Sequence, residues 1–295
     1  MLQGILFALL AAVMWTGNAY AYATVARRGL PVIPFYALAC SLGTISAAAQ
    51  VHWGILLGGQ ASHLPALMAV MLACGLANAG AMILILNAFA CGHSAITWTF
   101  SQMAMVLYFL FSLLFWGESA SGMQWAGLAV ILVALAMLAP SGAANDGPRP
   151  GARGRWLALI VPAFFLLGGA QILFIVPSHW HEGDPARLRS TLLLAIAALV
   201  GAGLAVVLRQ RIRRAMLAPA LLMAVCSSLG LAFVTASGNR LAAAGHSSLV
   251  YPISTAGSVI LFAPISCFVL KEQFSTARWL GLAFAIAGVV MLSVR

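Results

Sequence analysis

The stretch Glu118-Ser119-Ala120-Ser121-Gly122-Met123-Gln124-Trp125-Ala126-Gly127-Leu128-Ala129 is echoed by Glu272-Gln273-Phe274-Ser275-Thr276-Ala277-Arg278-Trp279-Leu280-Gly281-Leu282-Ala283. A Glu, a Trp and a Gly-Leu-Ala run recur at the same spacing, 154 residues apart. Two further matches lie on almost the same diagonal. Gly92-His93-Ser94 returns as Gly245-His246-Ser247 at an offset of 153. Met68-Ala69-Val70, followed after four residues by Gly75-Leu76-Ala77, returns as Met223-Ala224-Val225 and Gly230-Leu231-Ala232 at an offset of 155. Single matches arise by accident in a chain rich in Ala, Leu and Gly, but three in order mark an internal duplication.

The composition says what kind of unit is duplicated. Of 295 residues 63% are apolar and 7% charged, against roughly a quarter charged in a soluble domain. Five acidic side chains cannot solvate a globular surface of this length. The apolar residues run on for about twenty at a time, the length that crosses a bilayer core as helix, without the alternation of a transmembrane β-barrel. Ten spans are expected, at approximately 3–26, 31–51, 65–89, 93–116, 121–140, 156–177, 188–208, 216–239, 246–270 and 275–294. Residues 1–140 then form an N-terminal five-helix repeat and 156–295 a C-terminal one, joined by a linker at 141–155 rich in Gly, Pro and Ala. Because five is odd, the second copy enters the membrane from the opposite side. The expectation is an all-α membrane protein of ten transmembrane helices in two inverted-topology repeats, an arrangement recurrent among secondary transporters.

The net charge of +10 reads as topology rather than nucleic-acid binding, because the basic residues flank the apolar runs. With the N-terminus outside, inner loops hold eleven of them: Arg27, Arg28, Arg149, Arg153, Arg155, Arg209, Arg211, Arg213, Arg214, Lys271 and Arg278. The outside keeps Arg187, Arg189, Arg240 and Arg295. Both termini are thus expected on the outer, periplasmic side of an inner (plasma) membrane. The small-x-small triplets around Tyr20 and Tyr22 resemble a signal cleavage site, but no positive charge precedes the apolar core, so an uncleaved first span is expected. Cys40, Cys74, Cys91, Cys226 and Cys267 are scattered and suggest neither disulfides nor zinc.

With the repeat in place, the chain resembles the drug/metabolite transporter superfamily in its ten-helix EamA-like branch, over essentially its full length. The residues carrying the likeness are Trp15-Thr16-Gly17-Asn18 and the two repeat endings, Gly117-Glu118 to Gly127 and Lys271-Glu272 to Gly281. Within that superfamily it most resembles the exporters of aromatic amino acids and related metabolites. The resemblance implies a central cavity surrounded by the first, third, fourth, sixth, eighth and ninth spans, with the fifth and tenth more peripheral.

Polar side chains in a bilayer are costly and face the bundle interior. In the fourth span Trp98 and Gln102 share one face; in the ninth, Tyr251 and Thr255 occupy the equivalent places, with Ser254 and Ser258 in an adjoining stripe. Asn18, Asn78, Gln171 and Thr235 come from the first, third, sixth and eighth spans. These ten residues are the candidate substrate contacts. An aromatic-walled pocket with a few convergent polar groups suits a zwitterion with a large side chain. Ser and Thr also bond their own backbone or a neighbouring helix, and Trp98 and Tyr251 lie near span ends, where a membrane-interface anchor competes. Gly168, Gly169, Pro252 and Pro264 are candidate hinges, with Pro162 also interrupting a span; close packing is the competing role of the glycines.

No Asp or Glu falls inside a span, which disfavours a proton-coupled drug antiporter dependent on a membrane carboxylate. No mid-span Lys or Arg is expected to clamp phosphate, and Arg240 sits at a span end. Facilitated export of a neutral or zwitterionic passenger fits best, with a broad-specificity exporter of apolar drugs as the alternative and an intramembrane enzyme as a more distant one. His93 and His246 read as helix starts rather than proton carriers. The loop Ser178-His179-Trp180-His181-Glu182-Gly183-Asp184 holds metal-capable groups but reads as a solvated external loop. No cofactor, resident metal or nucleic-acid partner is expected; the partners are a small-molecule substrate and membrane lipid, and monomer and dimer both remain open. A cysteine placed at either terminus should react with a membrane-impermeant maleimide from the periplasmic side of intact cells; labelling only after the inner membrane is opened would reverse the orientation.

Overall fold

The computed structural model describes residues 1–51, 64–91, 94–138, 152–180, 188–271 and 276–293. All regular structure among them is helical: α1 (Leu2–Arg27), α2 (Val32–Ala48), α3 (Leu64–Cys91), α4 (Ser94–Gln102), α5 (Met105–Phe115), α6 (Gly122–Leu138), α7 (Ala152–Ile175), α8 (Leu188–Val207), α9 (Leu217–Ala242), α10 (Val250–Phe268) and α11 (Thr276–Ser293). Short 3₁₀ turns at Val176–His179, Arg214–Met216 and Ser247–Leu249 adjoin α7, α9 and α10. Seven stretches are long and apolar enough to cross a membrane: α1, α3, the α4–α5 run from Thr97 to Phe115, and α7 to α10. Three shorter apolar helices accompany them, at Val32–Ala48, Gly122–Ala134 and Trp279–Leu292. Of the linker expected at 141–155, residues 141–151 lie outside the described residues, as does the loop from His181 to Arg187, whereas Ala152 to Arg155 form the first turn of α7.

The span expected at 93–116 differs in detail. It is two helices meeting at Met103-Ala104, where the bonding tightens to i→i+3: Ala104 N–H donates to the Ser101 carbonyl at 3.2 Å and Val106 N–H to that of Met103 at 3.0 Å. A tightened turn keeps the backbone satisfied while changing the helix direction. Gly168 on α7 lies against this turn, and a Cβ there would sit 2.6 Å from Leu107 Cδ1 and 3.3 Å from the Ala104 carbonyl.

Helices of the two halves pair with each other. The most extensive contacts join α1 to α9, α3 to α7, α2 to α8 and α6 to α11, followed by α1 with α10 and α2 with α9. In hydrocarbon no apolar driving force separates helix from lipid, so close approach of small residues does the joining. The α6–α11 contact is the tightest case. A Cβ on Gly127 would fall 2.9 Å from the Leu292 nitrogen and 3.0 Å from the Gly288 carbonyl, and one on Gly288 would fall 2.9 Å from the Gly127 carbonyl.

Helix ends follow local rules. α6 opens on a reciprocal capping box, in which Ser121 N–H donates to Gln124 Oε1 at 2.9 Å and Gln124 N–H to Ser121 Oγ at 3.3 Å. Arg27 ends α1 by donating from Nη1 to the Leu270 carbonyl at 2.6 Å, just past the C-terminus of α10. Gly117 and Lys271, equivalent places in the two halves, both take left-handed φ, at +64° and +54°. That conformation is costly for lysine, so the turn geometry rather than the residue type is what recurs.

Replacing Gly127 by Leu should cost about 1–3 kcal/mol through overpacking and lower the thermal melting temperature in detergent. Gly203, whose added Cβ meets nothing within 4 Å, should accept Ala without loss. Equal melting of both variants would show that the α6–α11 contact is not close-packed.

Candidate functional site

At the centre of the bundle lies a cavity of about 110 Å³, room for several waters or one small metabolite. Side chains reach it at helical-face spacing from eight helices: Trp15, Asn18 and Tyr22 on α1; Tyr36 and Cys40 on α2; Asn78, Met82 and Ile85 on α3; Trp98, Ser101 and Gln102 on α4; Leu167, Ala170, Gln171 and Phe174 on α7; Leu193 and Leu194 on α8; Met223, Ser227 and Leu231 on α9; and Tyr251 on α10. Neither α6 nor α11 contributes a described residue. Among the described residues the lining carries no charged side chain.

Six of the ten predicted contacts thus meet in one place: Asn18, Asn78, Trp98, Gln102, Gln171 and Tyr251. Trp98 and Tyr251 are 5% and 3% exposed, which places them inside the bundle and not at a membrane interface. Tyr251 stacks on Trp15 at 5.8 Å between centroids, and Trp98 tilts against Tyr22 at 5.9 Å. The polar members are tied to one another across helices. Ser227 Oγ donates to Asn18 Oδ1 at 3.3 Å, and Asn78 Nδ2 donates to Tyr36 Oη at 3.3 Å.

The remaining four lie elsewhere. Ser254 and Thr255 donate to the carbonyls of Val250 and Tyr251, each at 2.7 Å, and Ser258 donates to that of Thr255 at 2.8 Å. Thr255 Oγ1 also contacts Met105 Sδ at 2.9 Å. These hydroxyls bond within their own helix, the habit of Ser and Thr in apolar helices. Thr235 is 2% exposed on α9 and does not line the cavity. Of the hinge candidates, Pro252 sits in the first turn of α10, where the N–H it lacks has no helical partner. Pro264 interrupts α10 and Pro162 interrupts α7, Gly168 is a packing contact as described, and an added Cβ on Gly169 would meet nothing within 4 Å.

Tyr36 and Ser227 were not anticipated, although the i, i+3, i+7 series Trp15, Asn18, Tyr22 would have marked the α1 face. Arg189 was assigned to the outside as a loop marker, yet it is fully buried in the first turn of α8. Its guanidinium donates to Ser178 Oγ at 2.7 Å, to Asn239 Oδ1 at 2.9 Å and to the Phe174 carbonyl at 3.4 Å. A planar five-donor fork can satisfy several oxygens at once, which makes burial tolerable for arginine where it is not for lysine.

Next to Tyr251 lies a polar cluster. Glu118 binds the start of the Ser247–Leu249 turn through three short bonds: Ser247 N–H at 2.7 Å and Ser247 Oγ at 2.6 Å to Oε1, and Ser248 N–H at 2.7 Å to Oε2. Tyr108 Oη donates to the Ser247 carbonyl at 2.7 Å, and its ring meets Tyr251 edge-on at 4.8 Å, so the cluster touches a cavity wall directly. His179 stacks on Trp116 at 3.9 Å and lies 3.1 Å from Ser247 Oγ. No group of three metal-ligating side chains occurs among the described residues; His181, Glu182 and Asp184 lie outside them.

No family model matches the chain, and no curated protein matches it. A solved chain described only as "Crystal structure of protein" shares its fold, with a TM-score of 0.63 at 17% identity over 98% of this chain and 95% of that one. The likeness extends end to end and is one of fold alone.

Hydrogen bonds to a charged group are worth about 1.5–3 kcal/mol each, so Glu118→Ala should lower the melting temperature markedly, by the equivalent of about 2–3 kcal/mol. Glu118→Gln, which keeps one acceptor oxygen, should lose less. If the alanine variant melted like the native protein, the clamp would carry no stability.

Proposed function

We propose that the chain is a ten-helix transporter of the drug/metabolite superfamily, EamA-like branch, built from two inverted five-helix repeats. It exports amino acids, large neutral ones above all, or related small metabolites, by alternating access. The observation that carries the reading is an aromatic-walled cavity with convergent amides, its described lining uncharged, at the centre of a bundle of apolar helices. Such a lining suits a zwitterion with a large side group, and among its described residues it offers no carboxylate for proton exchange.

The ten-helix count counts α4 and α5 as one span and adds the three shorter apolar helices to the seven long ones. The inverted repeat draws support from helix pairing. Exchanging the two halves turns α1–α9 into α7–α3, and α2–α9 into α8–α3, both of which are contacts of the structure, while α2–α8 and α6–α11 map onto themselves. In the orientation expected from charge, the Glu118 cluster closes the periplasmic end. Transport then requires that end to open while the cytoplasmic end closes, and the bonds from Glu118 to Ser247 and Ser248 are ones the outward-open state breaks.

Purified protein in liposomes should show counterflow of labelled phenylalanine, tryptophan or leucine that is insensitive to an imposed pH gradient. The combined Asn78→Ala, Trp98→Ala and Gln102→Ala variant should lose at least tenfold in rate. Flux of an apolar dye that survives the triple substitution, with no amino-acid counterflow, would favour the broad-specificity exporter, and steep pH-gradient dependence would overturn the uncoupled mechanism.

A further inference from the structure

Among the described residues, two polar atoms of cavity side chains have no hydrogen-bond partner: the indole Nε1 of Trp98 and the amide Oε1 of Gln171. Both residues are 5% exposed, and both belong to the lining. The two atoms are opposite in sense, because an indole N–H only donates and an amide oxygen only accepts. Other amides of the lining are engaged with hydroxyls: Asn18 with Ser227, Asn78 with Tyr36, and Gln102 with Ser101 at 3.4 Å. Ser190, Thr191 and Thr235 also hold unpartnered hydroxyls, but they lie off the cavity, and a hydroxyl can rotate to a nearby carbonyl. A ring N–H and an amide oxygen lack that recourse to their own backbone. Each atom is covered by protein in this state, so a passenger meets it as the side chain turns into the cavity, a movement that the free energy lost by an unpartnered buried group favours.

We propose that these two atoms orient the substrate: Trp98 Nε1 donates to its carboxylate and Gln171 Oε1 accepts from its ammonium. This deepens the transporter reading and rests on it, by stating which side chain holds which end of the passenger. The two residues come from opposite halves of the chain, α4 and α7, so a zwitterion held this way bridges the repeats whose relative movement would carry it. The aromatic faces nearby, Tyr22, Tyr36 and Trp15, add a favourable surface for the ammonium and for an apolar side group. A molecule with only one of the two groups leaves one protein atom unpartnered, which is how a site of this kind rejects near relatives.

The test is equilibrium binding of L-phenylalanine to the purified full chain in detergent, followed by titration calorimetry. 3-Phenylpropionate, without the ammonium, and 2-phenylethylamine, without the carboxylate, should each bind at least tenfold more weakly. Gln171→Met and Trp98→Phe should each weaken L-phenylalanine about tenfold. Gln171→Met should leave 3-phenylpropionate unchanged, because the group it served is already missing. Gln171→Glu keeps the acceptor and should restore binding, with a gain for the cationic amine; it serves if the Met variant fails to fold. Equal binding of the three compounds to the native protein, or variants within twofold of it, would show that the two atoms face water only and overturn the assignment. Failure of L-phenylalanine, L-leucine and L-tryptophan to bind the folded native protein would overturn it also. Selective binding without counterflow in liposomes would instead sink the transport reading and leave the assignment standing.

Discussion

Inside a bilayer no water completes a broken backbone hydrogen bond, so each N–H and C=O must find its partner within the chain. That constraint makes this sequence helical, and it also makes the interruptions informative. Where α10 begins, its first N–H groups have no helical partner, and the carboxylate of Glu118, some 129 positions earlier, supplies one to Ser247 and one to Ser248. Negative charge at a helix start is favoured by the dipole as well. A single acidic side chain therefore does two things: it satisfies a buried helix terminus and it fastens the segment that follows α5 to the start of α10. The one acidic residue among the described residues is placed where the backbone most needs an acceptor.

The same constraint explains why the cavity walls are held by side chains that bond in pairs. An amide pointing into hydrocarbon is expensive, so Asn18 and Asn78 are each engaged by a hydroxyl of another helix, Ser227 on α9 and Tyr36 on α2. Those bonds fix the lining in place without placing a charge among its described residues. The close contacts of α6 and α11 at Gly127 and Gly288 form a separate seam to which no cavity residue belongs, consistent with a peripheral pair bracing a central bundle.

Much of this was legible in the sequence. The apolar runs of about twenty residues pointed to helices long enough to cross a membrane, and amides within those runs pointed to an interior face, because few other positions tolerate them. Asn18, Asn78, Gln102 and Gln171 do meet in one cavity. The hydroxyl stripe of Ser254, Thr255 and Ser258 did not behave the same way, since a hydroxyl can be satisfied one turn back on its own helix and carries no obligation to face a cavity. Tyr36 gave no periodic signal, because α2 contributes only Tyr36 and Cys40. Arg189 misled for a different reason. Charge near a span end reads as a solvated flank, and only the meeting of α7, α8 and α9 supplies the three oxygens that let it sit fully buried.

That buried arginine helps hold the cavity wall without entering it. Its guanidinium donates to the carbonyl of Phe174, to Ser178 Oγ and to Asn239 Oδ1, so one side chain of α8 ties together α7, the turn that follows it, and α9. Phe174 is itself a lining residue, and its carbonyl lies in the last turn of α7, where helical carbonyls run out of partners within the helix. A planar fork of five donors can serve that carbonyl and two side chains at once. Arginine thus does at the end of α7 what Glu118 does at the start of α10: a charged group completes a helix terminus, and the described lining is left to aromatic rings, amides and apolar side chains.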